Sequence, residues 1–137
     1  MENNKLTRNI LLIDDDADDS KYFMEAVSEI DASINCVTAK DGEQALQQLR
    51  DATSPLPDYI FLDLRMPKVN GRQCLIQIKA DDKLKDIPVI VYTTSREVEE
   101  SEELKNLGAV RFVTKPTNTE EIYYVISQAL EEQEGNG

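Results

Sequence analysis

Five side chains stand where short apolar runs give out. Asn9-Ile10-Leu11-Leu12-Ile13 ends in Asp14 and Asp15, Tyr59-Ile60-Phe61-Leu62 ends in Asp63, Val89-Ile90-Val91-Tyr92 ends in Thr93, and Val110-Arg111-Phe112-Val113-Thr114 ends in Lys115. Gathered in one place, three carboxylates cost on the order of 1 kcal/mol or more per close pair even near the surface. A divalent cation removes that cost. With oxygen donors only, and no His in the chain, the cation that fits is Mg2+, which keeps waters and shares its sphere with a phosphate. The Lys115 amine and the Thr93 hydroxyl can donate to the remaining phosphoryl oxygens. One carboxylate can then act as nucleophile in an in-line displacement and become an aspartyl phosphate. The plain structural alternative is an ion-pair cluster around Lys115. It accounts for any one of these residues and poorly for all five.

For those side chains to meet, the runs must be parallel strands whose C-terminal ends share one edge. The intervening segments supply what that needs. Phe23, Ala26, Val27 and Ile30 recur at helical spacing, and Asp16, Asp18 and Asp19 fall at the cap and first turn, where negative charge complements the helix dipole. Ile34-Asn35-Cys36-Val37-Thr38-Ala39 reads as a strand closed by Asp41-Gly42, followed by a helix burying Ala45, Leu46 and Leu49. Pro67 takes the chain out of the Asp63 strand into a loop, Val69-Asn70-Gly71 makes a turn, and Cys74, Leu75 and Ile78 mark a third helix. Residues 96–106 have helical composition but a thin apolar stripe, and Gly108 ends them. A last helix is expected to start at Thr117, with Glu120 at capping-box spacing, and to bury Ile122, Val125, Ile126 and Ala129.

Five strands alternating with five helices predict an α/β protein, a three-layer doubly wound parallel sheet with helices on both faces. Right-handed crossovers then bring every strand's C-terminal end to the same edge, where ligands bind in such sheets. The 137 residues suffice for one domain, expected over 9–131, with a polar lead at 1–8 and a frayed tail at 132–137.

Composition narrows the function classes. Asp and Glu number 27 against 15 Lys and Arg, a formal net charge of -12 that repels phosphate backbones and anionic lipid, so no nucleic-acid partner is expected. There is no apolar run near about 18 residues and the start is polar, so neither a membrane span nor a secretory signal is expected and a cytoplasmic location is. The absence of His removes Ser-His and Cys-His nucleophiles and imidazole metal sites. Cys36 and Cys74 lie on apolar stretches and read as buried free thiols.

Ile13-Asp14-Asp15, Asp63-Leu64-Arg65-Met66-Pro67, Val91-Tyr92-Thr93-Thr94 and Lys115-Pro116 resemble, in order and spacing, the receiver domain of two-component response regulators, over Asn9 to about Leu130. That resemblance implies the flavodoxin-like strand order 2-1-3-4-5. It implies Asp63 as phosphoacceptor, Asp15 and the Arg65 carbonyl as direct Mg2+ ligands beside Asp63, and Asp14 acting largely through water. Thr93 and Lys115 would bind the phosphoryl oxygens, with Thr93 and Phe112 as the switch pair and a cis Lys115-Pro116 bond turning the amine toward the acceptor. It further implies a sensor histidine kinase or phosphotransfer protein as donor, and a protein whose only catalysis is its own phosphorylation and dephosphorylation. Because the sequence stops after the fifth helix, it looks like a stand-alone receiver that signals in trans to a downstream protein, as a phosphorelay intermediate or a chemotaxis-like effector.

Three other readings compete. A haloacid-dehalogenase-like phosphohydrolase needs a second Asp two residues after the nucleophile, where this chain has Arg65. A flavin carrier of similar topology needs a Gly-, Ser- and Thr-rich phosphate cradle where this chain has acids. An unphosphorylated pseudo-receiver, a docking module on the same fold, has no use for the complete set. The signal is expected to leave through the helix at 96–106 and Phe112, toward a partner surface spanning Val98, Arg111 and Tyr124.

Overall fold

The computed structural model describes residues 9–64, 71–93 and 101–135. Its strands are β1 (Asn9–Ile13), β2 (Asn35–Ala39), β3 (Tyr59–Leu62), β4 (Val89–Thr93) and β5 (Arg111–Thr114). The helices are α1 (Ala17–Ile30), α2 (Gly42–Arg50), α3 (Gly71–Ala80), α4 (Ser101–Asn106) and α5 (Ile122–Gly135). One sheet in the order β2-β1-β3-β4-β5 holds all five strands, and every pairing is parallel. This is the three-layer doubly wound, flavodoxin-like fold expected from the sequence.

The alternation of side chains along each strand divides the interior in two. Leu11, Ile13, Ile60, Leu62, Val89 and Val91 face α2, α3 and α4, meeting Leu46, Leu75, Ile78 and Leu104. Ile10, Leu12, Phe61, Ile90 and Tyr92 face α1 and α5, meeting Phe23, Val27, Ile122 and Ile126. The central strands β1, β3 and β4 are covered on both faces, which is why they read as unbroken apolar runs. β2 lies at the sheet edge, and Val37 on it is exposed.

Local chemistry sets the helix starts. Asp16 caps α1, its Oδ1 accepting from the backbone N–H groups of Asp18 and Asp19 at 2.9 and 3.0 Å. Asp41 caps α2 by accepting from Gln44 N–H at 2.7 Å. The last helix departs from expectation. Asn118, not Thr117, is the cap, accepting from Glu120 N–H at 2.9 Å. A 3-10 turn, Thr119–Glu121, precedes α5. The Asn118 amide oxygen, one bond further from the backbone than a Thr hydroxyl, reaches that N–H while the backbone at 118 is still extended. α5 also continues to Gly135, past the boundary expected at 131. Arg111 of β5 holds this end, donating to Gln133 Oε1 at 2.9 Å and to Glu132 Oε1 at 2.5 Å. Residues 94–100, with the first half of the helix expected at 96–106, lie outside the described residues. No helix among the described residues is long and apolar enough to cross a membrane.

Candidate functional site

Ladder hydrogen bonds continue one residue past the strands and fix the site's backbone. Asp14 N–H donates to Ala39 C=O at 2.9 Å, Asp63 N–H to Ile13 C=O at 2.9 Å, and Lys115 N–H to Thr93 C=O at 2.6 Å. The acids and the lysine therefore leave the sheet from one edge with little backbone freedom. Among the described residues the buried polar or charged side chains are Asp14, Asp63 and Thr93, at 2%, 5% and 0% exposure. All three belong to this cluster.

Lys115 lies among the carboxylates. Its Nζ donates to Asp14 Oδ2 at 2.8 Å, Asp19 Oδ2 at 2.8 Å and Asp63 Oδ2 at 3.3 Å. The ring of Tyr92 supports the amine from below, with Nζ 5.6 Å from the ring centroid. That ring is itself held edge-on against Phe23 and Phe61. Thr93 Oγ1 donates to Asp63 Oδ1 at 3.3 Å. Asp14 Oδ1 accepts from Asp16 N–H at 2.9 Å, so the turn into α1 and the site share one carboxylate.

The charges respond to this crowding. Burial, only partly offset by the Lys115 hydrogen bond, pushes the Asp14 carboxyl up from 3.8 to about 6. Burial alone would lower the Lys115 ammonium, but its hydrogen bonds to Asp14 and Asp19 outweigh that and raise it, so it stays charged. Burial raises the Tyr92 phenol and keeps it protonated.

Asp14, Asp15 and Asp63 each present a carboxylate oxygen, all within 4.8 Å of one another. Two of these acids are buried and Asp15 is exposed. A set of three oxygens, one of them open to solvent, fits a hard divalent cation that retains waters. Arg65, expected to contribute its carbonyl, lies outside the described residues.

The expected switch residue Phe112 is half-buried and packs with Leu107 against the core under α2, α3 and α4. It pairs in register with Val91, while Thr93 pairs with Thr114, which puts Phe112 and Thr93 diagonally on the same face. One expectation is overturned. There is no cis peptide bond among the described residues, so Lys115-Pro116 is trans. The amine reaches Asp63 nonetheless, because the ladder bond from Lys115 N–H to Thr93 C=O aims the side chain before the proline is met. The tertiary amide then keeps its ordinary trans preference of about 0.5–1 kcal/mol.

The expected partner surface is also divided. Val98 lies outside the described residues. Tyr124, 70% exposed, lines a groove of about 580 Å³ between α1 and α5 with Tyr22, Tyr123, Glu25 and Glu29. Arg111 instead clasps Glu132 and Gln133 near the far end of α5.

Sequence reasoning missed two contributors. Asp19 was accounted for by the helix dipole, and no sequence signal separates a first-turn acid that faces the sheet edge from one that faces solvent. Gly71 reads in sequence as a turn residue, but it opens α3 directly against the backbone of Asp63 and Leu64. A Cβ there would lie 2.5 Å from Leu64 Cα and 2.7 Å from the Asp63 carbonyl oxygen.

The doubly wound sheet thus brings two buried strand-end aspartates, a buried hydroxyl and a lysine to one edge, the class of arrangement that a signalling receiver domain carries. The chain belongs to the response regulator receiver domain family of two-component signalling, which matches residues 10–127. It is 32% identical over 121 residues to the response regulator Rcp1 of Synechocystis sp., covering 85% of this chain and 82% of that protein. It is 30% identical over 125 residues to the probable methanogenesis regulatory protein FilR2 of Methanothrix harundinacea, covering 89% and 81%. Among solved structures, the phosphorylated cyanobacterial phytochrome response regulator RcpA matches with a TM-score of 0.82 at 33% identity over 93% of each chain. The Mn2+-bound form of Rcp1 matches with a TM-score of 0.79 at 31% identity, over 91% of this chain and 92% of that one.

Proposed function

We propose that this receiver is a phosphorylation-activated switch that takes a phosphoryl group onto Asp63 and signals in trans from the cytoplasm. The observation that carries the reading is the burial of Asp14, Asp63 and Thr93 with Lys115 Nζ between the two acids. Uncompensated carboxylates in such a place are expensive, and this amine answers only part of the charge.

The donor is a phosphohistidine on a sensor histidine kinase or phosphotransfer protein. Asp63 Oδ attacks its phosphorus, an O–P bond forms, and the P–N bond breaks with its electron pair returning to the imidazole. Lys115 and Thr93, already hydrogen-bonded to the two Asp63 oxygens, are placed to donate to the arriving phosphoryl oxygens. Mg2+ held by Asp14, Asp15, Asp63 and the Arg65 carbonyl would neutralise the charge that accumulates there. Support for a divalent ion comes from the three-oxygen geometry and from the Mn2+-bound form of the relative Rcp1. Hydrolysis of the acyl phosphate resets the protein, so its catalysis is confined to itself. Phosphorylation replaces the single carboxylate charge by an acyl phosphate of roughly -1.5 to -2, a net addition of about one negative charge or less, and reorientation of Thr93 with inward movement of Phe112 passes the change to a downstream protein.

Incubation with Mg2+ and acetyl phosphate, followed by intact mass, tests the reading. One added phosphoryl group is expected on the wild type and none after chelation or in Asp63→Asn. Mass unchanged under all conditions would favour the pseudo-receiver instead.

A further inference from the structure

The Lys115 ammonium has three N–H donors, and three carboxylates occupy them. Two of those carboxylates, Asp14 and Asp63, are also in the cation-binding set. The third, Asp19, is not. It comes from the first turn of α1, is 41% exposed at its side chain, and has a bond to Nζ as short as that of Asp14. One amine therefore joins a pair of acids with competing duties to an acid with no other role in the site.

We propose that Asp19 is a positioning residue that anchors Lys115 and determines how readily the site accepts its cation. The inference rests on the reading of Asp14, Asp15 and Asp63 as a Mg2+ site. When a cation binds there, Asp14 and Asp63 must turn oxygens from the amine to the metal. Their hold on Lys115 weakens just as a second positive charge arrives. Asp19 keeps its hold, because its oxygen faces the amine and not the acid triad. It thereby balances the ammonium charge and leaves two N–H donors free to turn toward phosphoryl oxygens.

Without Asp19 the amine has only Asp14 and Asp63 to satisfy it. It would bind them more closely and compete directly with the cation. Asp18 supplies a matched control. It is the adjacent acid in the same first turn, it is exposed, and it shares the dipole role, but no contact joins it to Lys115. Asp18→Asn removes the same formal charge from nearly the same place.

Mg2+ affinity is measured by titration calorimetry on the whole chain, with folding of each variant checked by circular dichroism. Asp19→Asn is expected to weaken Mg2+ binding about three- to tenfold more than Asp18→Asn, the scale of one close charge contact near the surface. Asp19→Glu should recover part of the loss, because the longer side chain can still reach the amine. In a Lys115→Met background the excess effect of Asp19→Asn should vanish, as a double-mutant cycle requires of two residues that act on each other. Equal losses in Asp19→Asn and Asp18→Asn, or an excess that survives in Lys115→Met, would overturn the proposal while leaving the metal site standing. Failure of the wild type to bind Mg2+ would overturn the metal site and the proposal together.

Discussion

Thr93 donates its hydroxyl to Asp63 Oδ1 across 3.3 Å, from a side chain with no exposed surface. The bond is long for an O–H to carboxylate contact, where about 2.5–2.7 Å is usual. Thr93 is thus already aimed at Asp63 but not tightly held by it, an arrangement suited to a residue that would move if Asp63 acquired a phosphoryl group, as the proposed function requires.

From this follows the first expected outcome. Thr93→Ala should leave acetyl phosphate labelling in place, because Lys115 still reaches Asp63, and should lower unfolding free energy by about 1 kcal/mol. Thr93→Ser should restore the response. Backbone amide NMR with and without beryllofluoride and Mg2+ checks it. A Thr93→Ala protein whose Leu104 and Phe112 amides shift as in the wild type would show that Thr93 is not the sensor.

Asp14 predicts an unusual pH dependence for the metal-free protein. Its carboxyl is raised by burial from 3.8 to about 6. In the unfolded chain it ionises lower, so the folded state binds the extra proton between those values. The stabilising effect of that proton is fully present below the unfolded value and is lost as pH rises through about 6. In EDTA, thermal unfolding should therefore occur at a higher temperature near about pH 5.5 than near about pH 8, by on the order of 1 kcal/mol of stability. With no His in the chain, little else titrates in this window. Asp14→Asn should flatten the difference. A profile unchanged by Asp14→Asn would mean that the burial cost of this carboxylate is carried elsewhere.

How far this site could be read without a structure depended on what each residue's neighbours in sequence revealed. Asp14, Asp15, Asp63, Thr93 and Lys115 were legible because each interrupts an apolar run, and parallel strands put those interruptions on one edge. Strand order came from resemblance, since periodicity does not say which strands are neighbours. Asp19 was not legible. A charged residue in a first helical turn has a sufficient local explanation, and its contact with Lys115 spans 96 positions. The Asn118 cap was missed for a similar reason, as Thr117 offers an equally plausible oxygen one residue earlier. The Lys115-Pro116 bond is trans where the resemblance implies cis, because the ladder bond that aims Lys115, invisible in sequence, leaves the amide its own preference.

Gly71 should prove intolerant of any side chain. An added Cβ meets backbone at Leu64 Cα and at the Asp63 carbonyl, neither of which can rotate away. Gly71→Ala should cost about 1–3 kcal/mol of stability, the usual penalty for overpacking. Because the strain falls on the peptide of Asp63, labelling should slow as well if Asp63 is the acceptor. Denaturant unfolding and acetyl phosphate labelling of the same sample check both parts. Unchanged stability would mean that α3 can move off Leu64 freely.

Burial pushes the Cys36 and Cys74 thiols up to about 12. Thiolate is the reactive form, so both should alkylate slowly with iodoacetamide at about pH 8 in the folded protein and rapidly in denaturant. Rapid labelling of Cys74 under native conditions would be inconsistent with its position in the core beneath α3.

The central claim is that Asp63 itself becomes the acyl phosphate. Borohydride reduces an aspartyl phosphate to homoserine, so treating the protein with Mg2+ and acetyl phosphate, then borohydride, then mapping peptides by mass spectrometry reads the site directly. Homoserine is expected at position 63 alone, and only when Mg2+ and acetyl phosphate are both present. Homoserine at position 14 or 15, or a phosphorylated protein with none at position 63, would contradict the account.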